Sequence, residues 1–182
     1  MVEELLKKIP AERCWETTTK ILTSLYVIRG EKIIAPSLGK GEGITSHIWG
    51  AERWTEINVK IFGDGAKLMF PWVKETFNIP VENAIDADDL ETVVNTLLCG
   101  VGEWHYVEKS PQRVIYRNTK CPWMERYKEF EANLAFSPCP ESCHAWGEEG
   151  HKAANPKIKF KRTTAMPQGD PYCEGIIEFK EE

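Results

Sequence analysis

The sequence predicts an α+β fold: helices first, then a small antiparallel sheet crossed by later helices. Three observations predict it. Over residues 1–100, apolar side chains recur at helical spacing and glycines close the runs. Residues 103–120 alternate in character about a Ser-Pro-Gln turn, as a hairpin does. Two more strand-like segments, 158–162 and 172–179, follow a Cys- and Trp-bearing stretch of helical character.

Taken in order, Pro10 opens a run to Ile28 with Cys14, Trp15, Ile21, Leu22, Leu25 and Tyr26 near helical spacing, and Gly30 suits its stop. Gly39, Gly41 and Gly43 make a loop; with no Gly-Lys-Ser/Thr after it, it is a poor phosphate loop. A second stripe, Ile44, Ile48, Trp49, Trp54, Ile57, Ile61 and Phe62, is expected to end at Gly63-Asp64-Gly65. A separate helix over 66–77 carries Pro71, which predicts a kink or a late start. Asp88-x-x-Glu91 has the form of a capping box ahead of Leu90, Val93, Val94, Leu97 and Leu98, with Gly100 and Gly102 closing the run. Trp104, Tyr106 and Glu108 alternate with His105 and Val107, and Val114 to Tyr116 return as the second strand. A helix over 123–136 breaks at Ser137-Pro138-Cys139-Pro140, which starts another through about Ala154; Asn155-Pro156 stops that one. Ile158, Phe160 and Arg162 alternate with lysines, Gly169-Asp170-Pro171 turns the chain, and 172–179 is the last strand. With no repeat, low-complexity tract or linker, one domain is expected over 1–182, its 1–100 part mainly helical and its 101–182 part rich in cysteine.

Composition narrows the function. Of 182 residues, 42% are hydrophobic and 28% charged, and seven Trp, seven Phe and five Tyr need burying, which excludes disorder for most of the chain. The net charge of −5 argues against nucleic acid and anionic membrane as partners. No segment approaches about 18 consecutive apolar residues, and residues 1–8 open no signal peptide, so a cytoplasmic protein is expected. Six cysteines in that compartment read as thiols, metal ligands or catalytic groups rather than a disulfide framework.

Four of those six fall in the last third: Cys121, then Cys139-Pro-Glu-Ser-Cys143-His144, then Cys173. Cys139 and Cys143, four apart, share a helix face. A tetrahedral metal takes about four N or S ligands, which Cys139, Cys143 and Cys173 with Cys121 or His144 could supply. The spacing lacks C-x₂-C and is neither a sharp zinc nor a sharp iron–sulfur pattern; zinc is the metal expected before an iron–sulfur cluster, and buried free thiols are the plain alternative. A reactive thiol is the third reading. Pro140 suits the first helical position and puts Cys139 at the N-cap, where the helix dipole would lower its pKa. His144 would pair with Glu141 or Glu148. His151 is expected on the surface, His105 on a strand surface, and His47 in packing. Asp86, Asp88 and Asp89 read as helix capping. Lys157, Lys159, Lys161 and Arg162 read as a basic strand face, with Lys159 or Lys161 able to hold a substrate carboxylate.

Gly169-Asp170-Pro171-Tyr172-Cys173-Glu174, leading into an apolar strand, resembles the carboxy-terminal signature of 4-vinyl reductase domains, and Cys143-His144 followed by Gly147 resembles their upstream Cys-His helix. With Cys121-Pro122-Trp123, Cys139-x-x-x-Cys143 and Asn155-Pro156 the pattern is closer to the L-2-amino-thiazoline-4-carboxylic acid hydrolase-like family. The motifs cover residues 100–180. The resemblance implies a ligand-binding fold similar to the haem-NO-binding and TRAPP-type superfamily, a cytoplasmic small-molecule role, and often a homodimer. The vinyl-reductase pattern has a further Cys about eight residues before its last; here that position falls near Thr164-Ala165, so its metal site would need Cys121 or Cys139 instead.

Two functions follow as expectations. One is a hydrolase on a cyclic C=N or amide-like substrate of the thiazoline-carboxylate type, with Cys143 or Cys139 as nucleophile, His144 moving the proton, Glu141 orienting it, and Lys159 and Lys161 binding substrate. The other is a non-catalytic sensor that binds a small ligand and carries a structural metal held by Cys121, Cys139, Cys143 and Cys173.

Overall fold

A computed structural model describes residues 51–100, 102–129 and 139–180. The expected helix from Pro10, the glycine loop at 39–43 and His47 lie outside the described residues, as does the stretch 130–138. The described elements are α1 (Ala51–Phe77), α2 (Ala84–Cys99), β1 (Glu103–Lys109), β2 (Arg113–Lys120), α3 (Pro122–Glu129), α4 (Cys139–Ala154), β3 (Ile158–Thr164), a 3₁₀ turn (Met166–Gln168) and β4 (Cys173–Phe179). From β1 onward this is the expected order. The α+β class and the antiparallel sheet are both present.

Two expectations in the helical part need correction. Residues 51–77 form one helix that runs through Gly63, Gly65 and Pro71, not two helices parted by Gly63-Asp64-Gly65. The reason is packing along α4. Ala66, Phe70 and Val73 are fully buried, and a Cβ at Gly63 would lie 3.6 Å from Glu149 Cγ. At both glycines a Cβ would make only ordinary contact with α4, so they neither end the helix nor are required by its neighbour; tertiary burial outweighs their local propensity. The next helix starts four residues before Asp88. Its N-cap is Asn83, whose Oδ1 accepts from the backbone N–H of Ile85 (2.9 Å) and Asp86 (3.1 Å). Asp86 reaches back to the Glu82 N–H at 2.9 Å and so does the reciprocal capping. Asp88 and Glu91 are left free for other work.

The strands lie in the order β1-β2-β4-β3, all antiparallel. The inner face carries Val114, Tyr116, Ile158, Phe160 and Ile177, and one core joins them to Leu90 and Val94 of α2, Phe70 and Val73 of α1, and Trp146 of α4. The outer face carries the Arg117–Glu174 ion pair, with Lys159 and Lys161 exposed. The approach of α4 is close. A Cβ at Gly147 would stand 2.3 Å from the Phe160 ring, and one at Gly150 2.4 Å from the Phe70 ring. Glycine three residues apart on a helix costs propensity, about 1 kcal/mol each relative to Ala. Here it lets two aromatic rings lie against the helix backbone. Among the described residues, no helix is long and apolar enough to cross a membrane.

Candidate functional site

Where α2, the inner face of the sheet and the start of α4 meet, a cavity of about 120 Å³ remains. A void of ~150 Å³ is enough to admit benzene, so this one matches a single ring. Phe62, Trp104, Trp123 and Trp146 line part of it. Phe62 packs against Trp123 at 5.6 Å between centroids and against Trp146 at 6.2 Å. The Trp146 indole is held by a 2.9 Å bond from Nε1 to Asn95 Oδ1. Trp146 is thus anchored at both its apolar body and its polar tip, which fixes that part of the wall.

The other lining group is polar and buried. Strand pairing puts Tyr116 and Arg162 on either side of Gly175. A Cβ at Gly175 would meet the Tyr116 ring at 2.4 Å, so Gly175 is what lets that ring lie flat across β4. The Tyr116 hydroxyl donates to the Glu91 carboxylate, 3.0 and 3.1 Å from its two oxygens. Arg162 Nη2 donates to Cys143 Sγ at 3.1 Å and to the Tyr116 oxygen at 3.5 Å. Burial opposes the Arg162 charge, but Cys143, Tyr116 and Glu91 more than offset it and hold the guanidinium charged. Burial, and then the Glu91 charge, push the Tyr116 phenol well above its ordinary value. Behind Glu91 stands His151, 0% exposed, with Nε2 3.7 Å from Oε2. Its Nδ1 donates to the Gly147 carbonyl at 2.7 Å, and its ring stacks on Phe160. The result is a hydrogen-bonded chain, Glu91, Tyr116, Arg162, Cys143, with His151 beside its Glu91 end but not bonded to it through Nε2. Two lining atoms, Ser142 Oγ and Arg162 Nε, are buried with no hydrogen-bond partner among the described residues. Asp88 also lines the cavity; it accepts from Tyr106 (2.7 Å) and Lys109 (3.1 Å), while burial raises its pKa against those two bonds.

The expected site residues separate. Cys121, Cys139 and Cys143 line the cavity; Cys173 does not, and its Sγ accepts the Met166 N–H at 3.3 Å. His144 adjoins Cys143 in sequence but lies outside the cavity lining. Its Nε2 faces Glu148 at 3.4 Å, the partner one turn on, and Glu141 is exposed. Cys139 opens α4, yet burial and the neighbouring thiols raise its pKa, the reverse of the lowering expected from the helix dipole. Lys159 and Lys161 point outward; the cation of β3 that faces the cavity is Arg162. His105 is exposed, as expected. His151 is not: it is buried.

The metal reading does not fit this arrangement. Among the described residues no group of three or more His, Cys, Asp or Glu is placed to hold a metal ion. The buried Arg162 cation occupies the place beside Cys143, where it would repel a second cation.

Glu91, Tyr116, Arg162 and Ser142 were not singled out as site residues from the sequence. One signal was present. Arg162 shares the strand phase of Ile158 and Phe160, so it had to face the core. Glu91 and Tyr116 gave no comparable sign, because their partnership joins two elements 25 residues apart.

Thiol burial has a measurable consequence. Desolvation pushes Cys99 to about 12 and Cys121 to about 11. Both folded values exceed the unfolded one, so this stabilisation is complete below about pH 9 and is lost as pH rises through 11–12. By pH 10 each thiol should have cost about 1.4 kcal/mol of folding free energy. Urea midpoints measured from pH 8 to 10 should fall accordingly, and Cys99→Ala with Cys121→Ala should flatten the fall.

No family model matches the chain, and no curated protein matches it. Solved structures do. The phenol-responsive sensory domain of the transcription activator PoxR with phenol has a TM-score of 0.54 at 10% identity, covering 86% of this chain and 74% of that one. Trafficking protein particle complex subunit 3 from Naegleria fowleri, covalently bound to palmitic acid, has a TM-score of 0.50 at 11% identity, covering 72% and 82%. At these identities the likeness is one of fold, and it is the α+β, TRAPP-type fold that the sequence led us to expect.

Proposed function

We propose that this chain is a small-molecule-binding domain whose ligand is a single uncharged ring bearing an oxygen. The observation that carries the reading is the cavity itself: one ring in size, walled by three tryptophans and a phenylalanine, and bordered by buried polar groups of which Ser142 Oγ and Arg162 Nε have no partner among the described residues. Buried polar groups left unpaired cost about 1–3 kcal/mol, which a ligand oxygen would recover. The formal charges in the lining are already matched inside the protein, Asp88 by Lys109 and Glu91 with Arg162 through Tyr116, so a charged ligand gains little. The phenol-responsive neighbour of the same fold agrees with this class.

Hydrolysis at Cys143, as in the thiazoline-carboxylate hydrolase-like family, is the second reading. It keeps one observation in its favour: the Cys143 sulfur lines the cavity under the Arg162 guanidinium. It has no base beside that sulfur, since His144 is turned to Glu148.

Titration with phenol, benzoate and benzylammonium, followed by tryptophan fluorescence, tests the proposal. Phenol should quench saturably and bind tighter than either ion. Ser142→Val should weaken phenol about tenfold, the worth of one buried hydrogen bond. Equal, non-saturating quenching by all three compounds would defeat the reading.

A further inference from the structure

The Cys143 sulfur receives a bond from the Arg162 cation at the wall of the cavity. Its neighbour Ser142 lines the same cavity at 2% exposure, and its hydroxyl has no partner among the described residues. A nucleophile and an unused donor therefore stand side by side on one turn of α4, facing a space of one ring. We propose that Cys143 is a covalent capture site, and that the compounds it captures are one-ring α,β-unsaturated carbonyls, with Ser142 and Arg162 taking the carbonyl oxygen and the sulfur taking the β-carbon. This rests on the cavity reading above.

The chemistry closes without a further reactant. The S–C bond forms as the C=C π bond breaks, and the electron pair moves onto the carbonyl oxygen. The thiol proton ends on the α-carbon as the carbonyl re-forms, so the sum is an addition with no oxidant or reductant. Hydrogen-bond donors preset where that oxygen gains charge lower the barrier. Arg162 serves both ends, because the nitrogen that donates to sulfur also reaches the Tyr116 hydroxyl, a proton carrier backed by Glu91.

Selectivity among the thiols also follows. Burial holds Cys99, Cys121, Cys139 and Cys173 protonated to higher pH than an ordinary thiol. A protonated thiol is a poor nucleophile. Size matters too: the aromatic wall fits one ring, and a longer conjugated carbonyl should react more slowly.

The experiment uses the intact protein and 2-cyclohexen-1-one at neutral pH, with intact mass and peptide mapping over time and a phenol competition arm. The expected result is one adduct per chain, on Cys143, at a rate about tenfold or more above any other cysteine. Phenol should slow it, and Cys143→Ser should abolish it. Labelling spread over several cysteines, or none on Cys143, while phenol still quenches tryptophan, would overturn covalent capture and leave the cavity reading standing. Labelling of Cys143 that phenol does not slow would overturn it as well, by making the thiol a surface reagent. Failure of both phenol quenching and Cys143 labelling would overturn the two together.

Discussion

Gly175→Ala is expected to lower the folding free energy by about 3 kcal/mol and to abolish phenol binding, although it adds one methyl group. The added Cβ would fall 2.4 Å from Tyr116 Cζ and 2.6 Å from its hydroxyl. Phe160 and Ile177 share the core with the ring, so the way open to it is into the cavity it lines. Tyr116 must swing away from β4. When it does, Glu91 loses its buried donor and Arg162 loses one of its two acceptors. The loss is therefore overpacking plus the stranding of buried polar groups, not a change in strand propensity. Urea denaturation of a double-mutant cycle with Tyr116→Ala separates these. With the ring gone, Gly175→Ala should cost under about 1 kcal/mol, so the two changes should be strongly coupled. An equal cost in both backgrounds would mean that the glycine serves the strand and not the tyrosine.

How much of this was legible beforehand follows from the range of each interaction. The hairpin at 103–120, the helix ending at Ala154 and the strands near 158 and 173 depend on local pattern and turn residues, and all stand where the sequence put them. The break at 63–65 was misread because what carries the helix through it, packing against α4, lies more than eighty positions away. The capping-box reading of Asp88 and Glu91 failed for a related cause. A local explanation was available and sufficient, so their inward role against Tyr106 and Tyr116 had no need to be invoked.

The site was half legible. The cysteine pattern led to the corner of the fold that holds the cavity, since Cys121, Cys139 and Cys143 line it. It led to the wrong chemistry for Cys139, because spacing reports which residues share a face but not how dry that face is. Burial, which spacing does not reveal, reverses the dipole's effect on that thiol. The lysines misled for the opposite reason. Charge drew attention to Lys159 and Lys161, while strand phase had already assigned the inward position to Arg162.

Glu91→Ala should destabilise the fold by about 3–5 kcal/mol, because it leaves the buried Arg162 guanidinium without its counter-charge. It also strips the acceptor from Tyr116 and the carboxylate that faces His151. Replacing both charges, as Glu91→Leu with Arg162→Met, should recover most of that loss, since buried pairs often exchange for apolar side chains of similar size at little cost. The double variant should nevertheless fail to bind phenol. These two results together would separate what holds the fold from what serves the ligand. A buried Glu, Tyr, Arg and Ser bordering a void contribute little net stability, and a solid apolar core would do better in that place. If instead the double variant is as unstable as Glu91→Ala, the polar cluster is a structural element in its own right. If it binds phenol as tightly as the parent, the aromatic wall alone selects the ligand. The expected outcome, a stable protein that no longer binds, assigns the cluster to recognition: desolvation is accepted at this one point of the core so that a ligand oxygen has partners waiting.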